Sequence, residues 1–104
     1  MNIKFHYLYR DGANYKQYHS EVFSNREGFS IEAIENTIKF ALIEGNWFYA
    51  DKWKLTDLHL YKWDDEIDHS WHKYDCIEIT QENVTKGDIS DFISLIQIGC
   101  ENIH

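Results

Sequence analysis

The sequence predicts an α+β domain, in which a small antiparallel sheet of about four strands carries two helices on one face. Three patterns predict it: period-two alternation in four segments, a helical stripe between the first and second pairs of segments, and a second stripe near the end of the chain. The expected element order is therefore ββαββα. A chain of 104 residues has the usual length of one domain, and we expect a single globular domain over residues 1–104.

The first two strands are predicted to form a hairpin. Apolar side chains and large rings alternate over residues 3–10, Asp11-Gly12 is a strong turn signal, and a second strand follows over about 15–23. The two faces given below assume a connecting loop of two or four residues, since both lengths pair the strands with the same parity. The face expected to pack on the core carries Ile3, Phe5, Tyr7, Tyr9, Lys16, Tyr18 and Val22. The opposite, more polar face carries Lys4, His6, Arg10, Gln17, His19 and Glu21.

A helix is predicted between the two strand pairs. Ser30 is a suitable N-cap for an apolar stripe at the spacing of a core-facing helix, and Gly45-Asn46 is a stop signal. The stripe consists of Ile31, Ile34, Ile38, Ala41 and Leu42.

The second half of the chain is less regular. Residues 47–53 are rich in rings without a clear period, and residues 55–63 alternate as a strand. Another strand is predicted over 71–81. It has two alternatives for its inward face, which are Tyr74 with Cys76 or Ile77 with Ile79. Asp88 is the expected N-cap of the last helix. The apolar stripe of that helix contains Ile89, Phe92, Ile93, Ile96, Cys100 and Ile103, widened by Leu95 and Ile98.

Composition narrows the classes of function. A net charge of −8, from 18 acidic and 10 basic side chains, opposes binding to nucleic acid. No segment approaches the roughly 20 apolar residues of a membrane span, and no signal peptide is recognisable, so we expect no membrane association and a cytoplasmic protein. Cys76 and Cys100 are too few for a disulfide framework, and we expect buried, reduced thiols.

The densest group of reactive side chains lies in residues 63–72, where four carboxylates, two imidazoles and two indoles occur together. A binding surface for a partner protein would use Trp63, Asp64, Asp65, Glu66 and Trp71. A divalent metal would instead take Asp68, His69 and His72, although this histidine spacing is not a strong metal signature. A solvated acidic turn is the simplest alternative.

A second polar patch is expected on the polar face of the first hairpin. It would consist of His6, Gln17, His19 and Glu21. These side chains are a binding surface, an acid–base set, or only the solvated side of an antiparallel sheet. The rings of residues 47–53, together with Tyr61, Trp63 and Trp71, are interpreted either as a small aromatic core or as a recognition surface.

Four segments of the chain resemble a family of small bacterial proteins of uncharacterised function. They are residues 7–16 (YLYRDGANYK), 22–25 (VFSN), 43–48 (IEGNWF) and 68–72 (DHSWH). The resemblance extends over roughly residues 4–80 and leaves the last helix outside. It implies a soluble, single-domain bacterial protein, and it implies no catalytic residue.

The predicted function is a small acidic module that binds another protein, one with a basic surface, and that needs no cofactor. No glycine-rich phosphate loop, Gly-x-Ser-x-Gly elbow or Cys-x-x-Cys pair occurs, which favours a non-enzyme. The alternative is a metal-dependent or acid–base enzyme, a small hydrolase, that uses Asp68, His69 and His72. Formation of a homodimer through the last helix is compatible with either function.

Overall fold

The computed structural model describes residues 1–10, 16–50, 52–55 and 71–101, and these residues form an α+β fold. Its strands are β1 (Asn2–Arg10), β2 (Lys16–Ser24), β3 (Trp47–Tyr49), β4 (Trp71–Thr80) and β5 (Gly87–Asp88). Its helices are α1 (Ile31–Ala41), between β2 and β3, and α2 (Ile89–Glu101), after β5. Among these described elements, no helix is long and apolar enough to cross a membrane.

The five strands form one mixed sheet in the order β3-β4-β1-β2-β5. All neighbouring pairs are antiparallel except β2 and β5, which pair in parallel through two residues. The predicted fold class is confirmed, whereas the predicted four antiparallel strands match the sheet only roughly. The predicted strand at residues 55–63 lies outside the described residues apart from Leu55.

The central strand β1 buries one face completely. Its core-facing residues are Ile3, Phe5, Tyr7 and Tyr9, each at most 3% exposed, as predicted. The prediction for β2 is wrong. Tyr7 pairs with His19 and Arg10 pairs with Lys16, so five residues, 11–15, separate the two strands, which is an odd number. An odd loop moves every side chain of the second strand to the other face. The β2 residues that share the core face are therefore Gln17, His19, Glu21 and Phe23.

A β-bulge interrupts β4 at Asp75. Tyr7 pairs with Tyr74, but the preceding residue of β1 pairs with Cys76, which leaves Asp75 without a partner on β1. Because the extra residue shifts the alternation, Tyr74 before the bulge and Ile77 after it are both buried. Each of the two alternatives for the inward face of this strand is therefore correct for one residue, the first for Tyr74 and the second for Ile77. Cys76 faces outward and is exposed, so the expectation of a buried thiol is wrong at that position.

Helix α1 begins where the sequence predicts and ends earlier. The Ser30 hydroxyl accepts a hydrogen bond from a first-turn backbone N–H at 3.2 Å, which confirms the predicted N-cap. The helix ends at Ala41 rather than near Gly45. Ile43 and Trp47 exchange two backbone hydrogen bonds of 2.8 and 3.0 Å across a tight turn, in which Gly45 has a φ of 72°.

Both helices pack on the core face of the sheet. Ile34 and Ile38 of α1 join Ile89, Phe92 and Ile96 of α2 in the buried cluster that also contains the β1 face. Burial of each such side chain stabilises the fold by roughly 1.5–3 kcal/mol. Consequently, no described helix covers the opposite face of the sheet, which we call the outer face.

Candidate functional site

The outer face carries two shallow depressions that share two residues. One is lined by His6, Tyr7, Tyr18, His19, Ser20 and Asp75. The other is lined by Leu8, Lys16, Tyr18, Trp47, Lys73 and Asp75. Tyr18 and Asp75 belong to both, so the depressions are adjacent. We call the two depressions together the outer-face site.

Tyr18 supplies the exposed aromatic ring of this site. It lies on β2 opposite Leu8, and its side chain is 64% exposed, whereas Leu8 is only 8% exposed. The buried leucine forms an apolar floor beside the projecting ring. A phenol ring in this position combines apolar contact area with a polar tip, which is common at recognition surfaces.

Asp75 lies at the bulge in β4, and it follows the inward-facing Tyr74, so its side chain is on the outer face. A bulge adds a residue that the neighbouring strand does not pair with, and bulges often direct a side chain toward a site. Asp75 is exposed, and among the described residues it forms no ion pair. Its carboxylate is therefore a charge that a ligand or partner can contact without breaking a described ion pair.

Two other charged pairs lie on the outer face. Lys4 Nζ lies 2.7 Å from Glu82 Oε2, and His6 Nε2 lies 2.7 Å from Glu78 Oε2. The hydrogen bond from Lys4 lowers the pKa of Glu82, and the same bond raises the pKa of Lys4. Such solvent-exposed pairs contribute little to stability. They do, however, leave Asp75 as the acidic group of the site without an ion-pair partner in the described chain.

The Cys76 thiol, next to Asp75, is unsuited to nucleophilic chemistry. It is a free cysteine on the exposed side of β4. Partial burial of the sulfur raises the pKa of Cys76, and the carboxylates of Asp75 and Glu78 raise it further. Because the thiolate is the reactive form, a raised pKa reduces reactivity near neutral pH.

The predicted second polar patch is divided between the two faces of the sheet. His6 lies on the outer face, while Gln17, His19 and Glu21 lie on the core face, so the predicted shared face is wrong. The structure does bring His19 and Glu21 together. His19 Nε2 and Glu21 Oε1 are hydrogen-bonded at 2.5 Å, and the Thr85 hydroxyl donates to Glu21 Oε2 at 3.0 Å.

Asp88 is a buried carboxylate with a structural role. It is 4% exposed and accepts hydrogen bonds from the Ser24 hydroxyl at 2.8 Å, the Arg26 backbone N–H at 3.0 Å and the Ser90 backbone N–H at 3.1 Å. The Ser90 hydroxyl also donates at 2.5 Å. These bonds, led by Ser90, hold the pKa of Asp88 well below its ordinary value although burial opposes the shift. The predicted N-cap of α2 is confirmed, and it ties β2 to that helix.

A cavity of about 210 Å³, separate from the outer-face site, lies beside α2. Its apolar walls are Phe23, Trp53, Leu55 and Phe92, all members of the buried core cluster. Its buried polar group is Asp88, whose oxygens already accept the hydrogen bonds described above. The cavity is therefore a gap at the edge of the core, and its described walls present no unsatisfied buried group to a ligand.

The acidic residues predicted to bind a partner or a metal fall mostly outside the described chain. This applies to Trp63, Asp64, Asp65, Glu66, Asp68 and His69. Trp71 begins β4 opposite Tyr49. His72 is 0% exposed, with its ring centroid 4.9 Å from that of Tyr9. No group of three His, Cys, Asp or Glu side chains within the described ranges could hold a metal, and both sites on this segment stay predictions.

The ring-rich segment after α1 divides between core and surface. Phe48 and Trp53 are stacked in the core, with centroids 4.6 Å apart and planes 17° apart. Trp47 is half-buried and lines the outer-face site. The aromatic-core interpretation is thus confirmed for Phe48 and Trp53, while Trp47 lies on the candidate binding surface.

No family model, curated protein or solved structure matches this chain. The resemblance to small bacterial proteins therefore stays a prediction. The function has to be inferred from the residues of the outer-face site.

Proposed function

We propose that this chain is a small cytoplasmic module that binds another protein through the outer-face site. The observation that carries the proposal is the position of Asp75. It is an exposed carboxylate without an ion pair among the described residues, it lies beside the exposed Tyr18 ring, and no described helix covers its face of the sheet. An acceptor next to an aromatic ring on an open surface suits a protein interface.

The partner side chain that fits this arrangement is a lysine or an arginine. A cation can bond the Asp75 carboxylate while it contacts the face of Tyr18, and such a cation–π contact contributes about 0.5–1 kcal/mol at an exposed site. Lys16 and Lys73 line only the second depression, so a partner cation is directed toward the first, which His6 and Ser20 line. His6 is already paired with Glu78 there.

The charge of the whole chain supports the same partner. A net charge of −8 attracts a protein with a basic surface and accelerates their encounter at low ionic strength. The acidic loop surface of Trp63, Asp64, Asp65, Glu66 and Trp71 would add contacts of the same sign. We therefore expect one basic partner to contact both surfaces.

The experiment compares two charge reversals of the same size. The partner is isolated on tagged wild-type protein from the source cells, identified by mass spectrometry and purified for calorimetry. Asp75→Lys should weaken its binding at least about tenfold, whereas Glu27→Lys, on the exposed loop between β2 and α1, should leave the affinity within about twofold. Equal affinities of the two variants would contradict the proposal, as would affinity that does not fall with added salt.

A further inference from the structure

Within the described chain, the edge of β2 that faces away from β1 has open hydrogen-bonding positions. On one edge, β2 pairs with β1 from Lys16 to Phe23. On the opposite edge of β2, only Phe23 and Ser24 pair with β5. Within the described residues, positions 16–21 of β2 have no strand on that opposite edge. An open strand edge is a ready template for pairing with another strand.

The hydrogen bonds of Val22 show which backbone N–H and C=O groups of β2 point away from β1. Its carbonyl accepts hydrogen bonds from the Thr85 and Lys86 backbone N–H groups at 2.9 and 3.1 Å, and its own N–H donates to the Thr85 hydroxyl at 2.8 Å. Backbone groups of a strand alternate in direction with period two. The N–H and C=O groups of Lys16, Tyr18 and Ser20 therefore point away from β1, as those of Val22 do.

We propose that this edge pairs antiparallel with the same edge of a second copy of the chain, which joins the two sheets across a two-fold axis at Tyr18. In this register Tyr18 lies opposite Tyr18 of the other copy, Lys16 lies opposite Ser20, and Ser20 lies opposite Lys16. Each of these three pairs exchanges two backbone hydrogen bonds, about six in total. This inference goes beyond the proposed function and does not depend on it.

Two features favour a second copy over a different protein. The open stretch at residues 16–20 (KQYHS) contains no carboxylate, although the chain carries 18, so two acidic molecules can meet here without opposed acidic side chains. The register also avoids the loop after β4, whose residues Thr85 and Lys86 already bond the backbone of Val22. With the two-fold axis at Tyr18, the pairing ends at Ser20 and does not reach Val22.

The ring of Tyr18 lies on the outer face, away from the backbone groups that would form the pairing. Two Tyr18 rings would then lie next to each other across the axis, where aromatic cross-strand pairs are stabilising. The described part of α2 offers less to a homodimer, because Ile89, Phe92 and Ile96 are buried in the core of the same chain. Dimerisation through the rest of that helix stays a prediction.

The first experiment is sedimentation equilibrium of the whole chain from about 10 µM to about 1 mM, the range in which small interfaces dissociate. Wild-type protein should dimerise. Ser20→Pro removes one outward N–H on an edge strand, where proline is tolerated, and should weaken the dimer at least about tenfold. Ser20→Ala keeps that N–H and serves as the matched control, with a dimer affinity close to that of wild type.

The second experiment tests the register and does not depend on the proline variant. In a background with Cys76→Ser and Cys100→Ser, Tyr18→Cys should form a disulfide-linked dimer under mild oxidation, because the axis places the two residues directly opposite each other. Gln17→Cys should form little. A protein that stays monomeric at about 1 mM would overturn the proposal. A dimer that Ser20→Pro does not weaken, or that cross-links equally at both positions, would also overturn it.

Discussion

Tyr74 and Ile77 both enter the core from β4, although they are three positions apart and would lie on opposite faces of a regular strand. The bulge at Asp75 reconciles their spacing with their burial. Asp75, the extra residue of the bulge, lies on the outer face beside Tyr18. One inserted residue therefore serves both the core packing and the candidate binding site.

Deletion of Asp75 should preserve the core, as should its truncation. Without Asp75, Tyr74 and Ile77 lie two positions apart, so β4 can pair with β1 as a regular strand that buries both, and we expect the protein to fold with a loss of less than about 2 kcal/mol. Asp75→Ala keeps the backbone and should change the free energy of unfolding by less than about 0.5 kcal/mol. Urea denaturation of both variants checks this. A deletion variant that does not fold would show that the bulge does more than reconcile the spacing of Tyr74 and Ile77.

Asp88 should contribute to stability above its unfolded pKa and lose that contribution in acid. Its folded pKa lies well below the ordinary value of about 4 because of the hydrogen bonds from Ser90, Arg26 and Ser24. The contribution is therefore complete near neutral pH and declines as the pH falls below about 5. Asp88→Asn should cost about 1–3 kcal/mol at pH 7 and less at pH 3.

Urea denaturation of wild type and Asp88→Asn between pH 7 and pH 3 measures the difference directly. Asp91→Asn is the matched control, since Asp91 is an exposed carboxylate in the same helix turn. A stability difference between wild type and Asp88→Asn that stays constant over this range would contradict the depressed pKa.

Tyr74 should contribute to stability below its unfolded pKa and lose that contribution in alkali. Burial raises the pKa of its hydroxyl, and so does the nearby Glu35 carboxylate, to which the hydroxyl donates at 3.1 Å. The folded state therefore favours the protonated phenol, and its contribution declines as the pH rises above about 10. Tyr74→Phe should cost about 0.5–1.5 kcal/mol at pH 7.

Thermal unfolding of wild type and Tyr74→Phe at pH 7 and pH 10.5 compares the two proteins. The stability difference between them should shrink at the higher pH. Tyr18→Phe, which changes an exposed ring, controls for the general effect of removing a phenol. A difference that grows with pH would mean that the hydroxyl does not donate to Glu35.

His72 should stabilise the core by packing. Its ring lies 4.9 Å from Tyr9 and 5.9 Å from Phe48, measured between centroids, and it is fully buried. His72→Ala should therefore cost about 2–4 kcal/mol, with the same loss in EDTA and in excess zinc. Zinc that raises the melting temperature of wild type but not of His69→Ala would instead support the metal-dependent alternative.

Some of this architecture follows from local patterns in the sequence. The stripe that includes Ile34 and Ile38 predicts α1, and the alternation from Ile3 to Tyr9 predicts the buried face of β1. The Ser30 and Asp88 caps are equally readable, because a cap depends on contacts within a few residues. Such local signals need no knowledge of which element lies next to which.

The outer-face site is not predictable in this way. The alternation in β2 predicts Tyr18 in the core, yet its side chain is 64% exposed, because its face depends on whether the loop before β2 has an odd or an even number of residues. For Asp75 the sequence leaves two alternatives, and only the pairing of β4 with β1 decides that Tyr74 is buried and Asp75 faces outward. A ring in a strand of mixed polarity is ambiguous until that pairing is known.

The sequence by itself determined the fold class, the first helix, the buried face of the central strand and the acidic character of the chain. Only the tertiary structure decided which face of β2 meets the core, where β4 shifts its alternation, and that Tyr18 and Asp75 lie together on the face of the sheet that no described helix covers. The physical reason is that side-chain direction in a strand has period two. A single inserted residue therefore reverses it, and strand pairing is a long-range property.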